Sequence, residues 1–187
     1  MKKIDRSSPI YFISFFTIVI FGIILGVSVI HDQLKERINS AKQEQIQAFL
    51  KRSMPCEDIL ESALDDKTFF YCENKDLIAQ HLFSEKAYAD KIEYLLFTDF
   101  DGIVKHIDII AHKETPELGS KIEHPSWLKT IYNKPINVIK LKSDGGEIDS
   151  FTSASITPRV LLKDITKQSN WIQKHKQQIT RIISSES

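Results

Sequence analysis

An excess of either charge is missing from this sequence, since 25 Lys and Arg residues balance 25 Asp and Glu residues over 187 positions. A protein that neutralises nucleic-acid phosphates needs a basic excess, so we expect no nucleic-acid partner. The two cysteines are too few for a disulfide-rich scaffold or for a zinc site made of cysteines alone. With 42% hydrophobic and 10% aromatic residues, the chain is not of the disordered or collagen-like class.

Common catalytic motifs are also missing. No G-x-S-x-G, G-x-G-x-x-G or P-loop sequence occurs, which argues against a nucleophile-elbow hydrolase and the usual nucleotide-binding folds. No histidine pair combines i,i+4 spacing with a carboxylate, so we expect no metal site; the histidines are at positions 31, 81, 106, 112, 124 and 175. Cys56 and Cys72 are compatible with a disulfide in an exported domain or with two free thiols, and the sequence leaves both open.

A long uncharged run marks the N-terminus. No charged side chain occurs from Ser7 to Ile30, and residues 9–30 are almost wholly apolar. A helix of this length spans roughly 33 Å, enough for a hydrocarbon core of about 30 Å. The run is longer than the apolar region of a signal peptide, and Gly26-Val27-Ser28 is a poor cleavage site. The sequence therefore predicts an uncleaved transmembrane helix over residues 9–30.

The charges around this run predict a topology. Lys2, Lys3 and Arg6 favour a cytoplasmic N-terminus over residues 1–8, which places residues 31–187 in the periplasm of a single-pass inner-membrane protein. Within that exported part, residues 31–158 carry 16 basic against 22 acidic side chains, and residues 159–187 carry six against two. The basic C-terminal segment suits docking onto partners, or it is simply a solvated helix face.

Hydrophobic periodicity predicts an α+β domain with a mainly antiparallel sheet and flanking helices. A helix is expected to continue from the anchor to about Arg52, and a C-terminal amphipathic helix is expected from Val160 onward. A short helix is suggested within residues 56–64. Strands are predicted at residues 68–72, 92–98, 103–112 and 136–141, with a hairpin turn at residues 99–102.

One segment has a composition that suits a ligand. Residues 143–159 contain six Ser and Thr residues around Gly145 and Gly146, and they precede a proline and a helix. Hydroxyls and exposed amides before a helix start suit a phosphate group. An ordinary Ser/Thr-rich loop that caps a helix has the same composition, so the segment alone decides nothing.

The chain carries the motif E-T-P-E-L-G at residues 114–119 and the motif D-S-F-T-S-A-S-I-T-P at residues 149–158. Both resemble motifs of the G subunit of the Rnf electron transport complex and, more distantly, of the homologous C subunit of the sodium-translocating NADH:quinone reductase. Residues 114–119 match the family loop E-T-P-G-L-G at five of six positions. Residues 149–158 lie without a gap on the family flavin motif, D-x-x-[ST]-G-A-[TS] followed by x-T-P. Upstream, Tyr88, Asp99 and Gly102 fall where the family has a Gly-Tyr-x-Gly hairpin and a D-x-x-G turn. The resemblance extends over essentially the whole chain.

The resemblance implies a periplasmic FMN-binding domain whose FMN is joined through its phosphate, as a phosphoester, to Ser155. A separate flavin transferase would attach it, with FAD as the donor. The chain would then be an electron-transfer subunit that works with the other subunits of an Rnf-type complex in the membrane, not a stand-alone enzyme. The implied cofactor-binding residues are Ser155 as the phosphoryl acceptor, together with Asp149, Thr152, Ala154, Thr157, Thr115, Leu118 and Gly119.

The sequence departs from this family at four glycines, which are replaced by Ala87, Asp90, Glu117 and Ser153. Glycine serves where the backbone approaches a ligand closely or needs a positive φ, so these changes are expected to crowd the flavin. Two alternatives follow. One is a family member that has lost covalent FMN and is structural. The other is an extracytoplasmic PAS-like sensor, suggested by residues 95–107 and 163–166.

Overall fold

The computed structural model describes residues 9–54, 56, 58–72, 76–152 and 154–186, and the chain divides into two units, Met1–Gln47 and Ala48–Ser187. Helix α1 (Pro9–Ser53) provides the described part of the first unit and ends in the second. The predicted helix that continues to about Arg52 is therefore confirmed. The predicted cytoplasmic residues 1–8 lie outside the described residues.

The first half of α1 exposes large apolar side chains. Ile18 is 72% exposed and Phe21 is 62% exposed, and the most apolar stretch of the helix is not buried at all. A core helix of a water-soluble domain would bury such side chains against the rest of the protein. By length and composition, α1 contains a segment that is able to cross a membrane.

The second unit is built on a five-stranded antiparallel sheet in the order β1-β2-β3-β4-β5. Each strand pairs with the next one along the chain, so the sheet is a simple meander. This arrangement confirms the α+β class with a mainly antiparallel sheet. The strands are β1 (Leu60–Leu64), β2 (Lys67–Tyr71), β3 (Ile78–Phe83), β4 (Glu93–Thr98) and β5 (Val104–Ala111).

The predicted hairpin is formed by β4 and β5. Asp99 closes the turn, because its Oδ1 accepts hydrogen bonds from the backbone N–H groups of Asp101 and Ile103 at 3.0 and 2.9 Å. Gly102 adopts φ +75°, and a Cβ at this position would lie 2.3 Å from the carbonyl oxygen of Ser169. Glycine is required there both for the backbone conformation and for the close approach.

Helix α3 (Ile156–Glu186) covers one face of the sheet, and the short helix α2 (Pro125–Leu128) lies earlier in the chain. The apolar stripe predicted for the C-terminal helix is the face of α3 that is buried. Leu161, Leu162 and Ile165 pack in one core cluster with the sheet residues Tyr94 and Leu96. A second cluster joins the later turns of α3 to the first strands of the sheet: Phe69, Tyr71, Ile78, Ile172 and Ile179.

A disulfide and a pair of side-chain hydrogen bonds hold the start of the second unit. Cys56 and Cys72 form a disulfide, which decides between the two possibilities that the sequence left open. At the end of α1, Arg52 and Ser53 donate hydrogen bonds to the carboxylate of Asp108 on β5, at 2.9 and 2.8 Å. These contacts fix the last turn of α1 to the sheet.

The expected short helix within residues 56–64 is wrong, because residues 60–64 form strand β1. Its residues alternate between half-buried and exposed positions, which is the period of a strand. Asp65 and Asp66 link β1 to β2 with φ values of +48° and +61°. This is the backbone of a tight two-residue hairpin, and it usually contains Asn or Gly. The Asp-Asp pair is therefore a weak turn signal.

The expected strand at residues 136–141 is also wrong. Residues Ile136–Val138 form a 3-10 turn that follows Pro135. Ile136, Ile139 and Leu141 are all buried, a spacing that follows a turn and not the alternation of a strand. Further along the chain, α3 begins at Ile156 instead of Val160. Pro158 is then the third helical residue, where the N–H that it lacks would have no partner within the helix.

Candidate functional site

An open cavity of about 400 Å³ lies where three segments of the second unit meet. One segment follows β3 and contributes Tyr88, another follows β5, and the third is the start of α3. The residues that line the cavity are Tyr88, Glu114, Thr115, Leu118, Gly119, Ala154, Ser155, Ile156 and Thr157. Its volume lies within the range of small-molecule sites, about 300–1,000 Å³.

Ser155 lies on this cavity immediately before the first residue of α3. Its side chain is exposed, and its carbonyl oxygen accepts a hydrogen bond from the backbone N–H of Arg159 at 3.3 Å. Ser155 therefore occupies the N-cap position, where Ser is strongly preferred. The N–H groups of the first helical residues have no partner within a helix, and they present partial positive charge beside this hydroxyl.

The segment before Ser155 is held by an indole ring. Trp127 donates a hydrogen bond from Nε1 to the carbonyl oxygen of Asp149 at 2.9 Å, and its ring packs on Phe151 with 5.0 Å between the centroids. Phe151 in turn forms an isolated bridge with Ala154. These contacts lead the chain into α3 with the Ser155 hydroxyl on the cavity side.

Glu114 forms the inner wall of the cavity. Its carboxylate is buried, with 6% of the residue exposed. Oε1 accepts a hydrogen bond from the backbone N–H of Ala89 at 2.9 Å, and Oε2 accepts one from the Thr157 hydroxyl at 2.5 Å. One side chain thus joins all three segments that line the cavity.

Gly119 packs against this carboxylate. A Cβ on Gly119 would lie 2.5 Å from Oε2 of Glu114 and 3.1 Å from the hydroxyl oxygen of Thr157. A contact as short as the first does not occur for real Cβ atoms, so a larger residue would displace Glu114. The residue type at position 119 is therefore set by its close approach to the Glu114 side chain and to Thr157 of α3.

The cavity brings together six of the eight residues that the resemblance implied: Thr115, Leu118, Gly119, Ala154, Ser155 and Thr157. Asp149 and Thr152 are not among its lining residues. Asp149 is exposed and forms an ion pair with Lys142 at 2.8 Å, and Thr152 is exposed on the same segment. Because Thr157 donates its proton to Glu114, its oxygen is available to a ligand in this geometry only as an acceptor.

Three lining residues were missed as site residues by the sequence interpretation, namely Tyr88, Glu114 and Ile156. Glu114 is the first residue of the matched loop motif, which was the available signal. A carboxylate among polar loop residues gives no sign that it is buried, because its burial depends on α3 and on the segment after β3. Tyr88 has an equally weak signal, since it is exposed at the edge of the cavity.

Of the four replaced family glycines, the three that the structure describes lie outside the cavity lining. Ala87 packs into the core, Asp90 forms an ion pair with Lys113 at 2.6 Å, and Glu117 is exposed. None of these three lines the cavity. The fourth position, Ser153, lies outside the described residues.

Comparison with known proteins identifies the family. The G subunit of the ion-translocating oxidoreductase complex of Haemophilus influenzae (strain ATCC 51907) is 31% identical over 174 residues, which cover 81% of this chain and 84% of that protein. The chain belongs to this G-subunit family. The corresponding G subunit of Vibrio vulnificus (strain YJ016) is 28% identical over 169 residues, covering 78% of this chain and 80% of that protein.

The match to an FMN-binding domain model covers residues 87–167 of this G-subunit homologue. That range contains every residue that lines the cavity. A crystal structure of NqrC from Shewanella oneidensis aligns with 59% of this chain and 69% of its own, with a TM-score of 0.42 and 15% sequence identity.

The cavity residues fit an FMN group by their chemistry. An exposed hydroxyl and a helix N-terminus lie together at Ser155, as a phosphate requires. Leu118, Ile156 and Tyr88 offer apolar and aromatic surface of the kind that covers a planar ring system. The Thr157 oxygen adds an acceptor for a hydroxyl or N–H group of the ligand.

Proposed function

We propose that this chain is an electron-transfer subunit of a membrane-bound, ion-translocating oxidoreductase complex, and that its cavity holds FMN. Bound FMN would supply one- or two-electron redox chemistry, and this chain would supply its position and surroundings. The match of the FMN-binding domain model to the cavity segments supports the cofactor. Relatives named as G subunits of such a complex support the role within an assembly of several subunits. The same relatives favour this function over a PAS-like sensor.

We further propose that FMN is attached through a phosphoester to the Ser155 hydroxyl. The observation that carries this proposal is the position of Ser155, which is the exposed hydroxyl between the cavity and the α3 N-terminus. In the attachment step, Oγ of Ser155 forms a bond to the FMN phosphorus of FAD. The bond to the AMP phosphate breaks, AMP leaves, and the hydroxyl proton passes to solvent. A flavin transferase would catalyse this step.

Asp149 suits the transferase better than the bound cofactor. Its carboxylate is 71% exposed and lies on the segment that leads to Ser155, outside the cavity lining. An exposed carboxylate at that place is accessible to a second protein or to a metal ion that the second protein carries. Thr152 is exposed on the same segment, and we propose the same role for that surface. Both residues therefore contribute to maturation of the subunit.

The location proposed for the chain follows from α1. Residues 9–30 would cross the inner membrane once, with residues 1–8 in the cytoplasm and residues 31–187 as a periplasmic FMN-binding domain. The apolar exposed side chains of α1 support the crossing. The Cys56–Cys72 disulfide supports the periplasm, because disulfides persist in oxidising compartments.

The attachment is tested by expressing the full chain with a flavin transferase and viewing the denatured protein in a gel under ultraviolet light. We expect a fluorescent band for the wild type and a dark band for Ser155→Ala. The matched control is Ser143→Ala, which removes an exposed hydroxyl that lies outside the cavity and upstream of Asp149 and Thr152, and this variant should stay fluorescent. A dark wild-type band would refute covalent attachment and would favour a subunit that has lost its FMN.

A further inference from the structure

We propose that the buried carboxylate of Glu114 lowers the reduction potential of the flavin in this cavity. This inference rests on the proposed function, because it concerns the FMN that the cavity would hold. It assigns to Glu114 a tuning role that is separate from attachment at Ser155. The proposed role depends on how the charge of Glu114 is surrounded.

Glu114 accepts hydrogen bonds from two neutral groups, the backbone N–H of Ala89 and the hydroxyl of Thr157. These bonds satisfy both carboxylate oxygens, but they bring no positive charge. No residue that the structure describes forms an ion pair with Glu114. The wall of the cavity therefore contains a buried negative charge without a cation beside it.

The basic groups nearest in sequence are engaged elsewhere. Lys113 is 78% exposed and forms an ion pair with Asp90 at 2.6 Å. His112 accepts a hydrogen bond at Nδ1 from the backbone N–H of Glu114 at 3.0 Å, so this nitrogen carries no proton in that geometry. Its other nitrogen, Nε2, pairs with the carboxylate of Glu123.

Burial makes the charge of Glu114 effective inside the cavity. Gly119 packs directly on the carboxylate and keeps solvent from that side. Charges interact more strongly in a poorly hydrated protein site than in water, because less solvent screens them. Flavin reduction adds electrons to the ring system, and a fixed negative charge in the cavity wall opposes that addition. The reduced form is therefore disfavoured, and the reduction potential falls.

Glu114→Gln tests this role without removing the contacts. The glutamine carbonyl can accept the Ala89 N–H, and its NH₂ group can donate to the Thr157 oxygen, with the Thr157 hydroxyl turned around. The full chain is expressed with a flavin transferase, and the flavin midpoint potential is measured by spectroelectrochemical titration. We expect the midpoint potential of Glu114→Gln to be more positive than that of the wild type. At a fixed potential, this shift corresponds to about a tenfold higher ratio of reduced to oxidised flavin.

The matched control is Glu117→Gln, which removes an exposed carboxylate from the same loop. Solvent screens this charge, so the midpoint potential should stay near the wild-type value. A Glu114→Gln potential equal to that of Glu117→Gln would overturn the inference. If Glu114→Gln takes up no flavin, Glu114→Met provides a second neutral side chain. Failure of both variants to bind flavin would show a purely structural residue and would also overturn the inference.

The wild-type sample separates this inference from the proposed function. A wild-type chain that carries no flavin refutes the proposed function, and the potential-tuning role then falls with it. A wild-type chain that carries flavin, together with an unshifted Glu114→Gln potential, refutes only the role of Glu114. A thermal melt of the same Glu114→Gln sample shows whether its fold is intact.

Discussion

At the residue scale, Glu117 has an unfavourable backbone conformation. Its φ of +60° lies in the left-handed region, where a side chain with a Cβ is strained and glycine is not. The family motif has glycine at this position, and the structure gives the reason. The replacement places the strain in the backbone of the 115–119 loop, and Glu117 is not among the residues that line the cavity.

Replacing Glu117 by glycine should therefore stabilise the protein. We expect Glu117→Gly to increase the free energy of unfolding by about 1 kcal/mol. This gain is the relief of the left-handed backbone strain, reduced by the additional conformational entropy that glycine loses on folding. The measurement is urea unfolding followed by circular dichroism. Glu117→Ala is the matched control, because it removes the carboxylate and keeps the strain. An equal gain in both variants would show that the charge, and not the backbone, is responsible.

At the element scale, α3 has two separate tasks. Its apolar stripe covers the sheet, and its first turn presents Ser155 to the cavity. Several basic side chains of α3 are used within the domain itself. Arg159, Lys163 and Lys176 form ion pairs with Asp144, Glu85 and Asp101. The helix is thus less available for docking onto partners than its sequence charge suggests.

The sequence predicted those elements whose signals are local. The β4–β5 hairpin has two apolar runs around an Asp-Phe-Asp-Gly turn, and the α3 stripe extends over many turns, so both were predictable. Strand β1 was missed because it is short and partly polar, and its pairing with β2 depends on the strained Asp65-Asp66 turn. Residues 136–141 have the composition of a strand, but the chain after Pro135 forms a 3-10 turn at Ile136–Val138 instead.

The residues of the candidate site also divide into those with a local sequence signal and those that depend on contacts distant in the sequence. Residues 115–119 and 154–157 lie in contiguous motifs, so a sequence pattern was enough to select them. Glu114 gains its role from long-range contacts with Ala89 and Thr157, which no local pattern encodes. Asp149 was implied by its place in the motif, yet its side chain turns away from the cavity to Lys142. The motifs alone did not show that Glu114 lines the cavity and that Asp149 does not.

The Cys56–Cys72 disulfide should stabilise the start of the sheet domain. The two cysteines are 16 residues apart, and closing a loop of about this length contributes roughly 3 kcal/mol by restricting the unfolded chain. We expect the double variant Cys56→Ser/Cys72→Ser to lower the urea midpoint by a corresponding amount. Wild type in reductant should behave like the double variant. Unchanged stability in both samples would contradict a structural role for this bond.

At the scale of the whole molecule, the balanced charge is a sum of distinct regions. The basic N-terminal end, an acidic domain body and a basic C-terminal helix together give a net charge of zero. Within the second unit, buried carboxylates are held by specific partners. Burial alone would raise the pKa of Asp108, but hydrogen bonds from His106 and Ser53 and the charge of Arg52 outweigh it and hold that pKa below its usual value.

This lowered pKa predicts acid sensitivity. The pKa of Asp108 is lower in the folded than in the unfolded state. Its contribution to the free energy of unfolding is therefore complete above the ordinary Asp pKa of about 4, and it is lost as the pH falls through the pKa of the folded state. We expect the urea midpoint of the wild type to fall below about pH 4, and that of Asp108→Asn to be lower at neutral pH but to fall less. Asp58→Asn, at an exposed position, should follow the wild type. Parallel curves for wild type and Asp108→Asn would contradict this role.

The central claim is that the Ser155 hydroxyl carries FMN, and the mass of the intact chain tests it most directly. Full-length protein made together with a flavin transferase is analysed by mass spectrometry, and its peptides are then sequenced. We predict an added mass equal to FMN less one water, located on the peptide at Ser155 and absent from Ser155→Ala. An unmodified wild-type chain, or an adduct that persists in Ser155→Ala, would contradict the account.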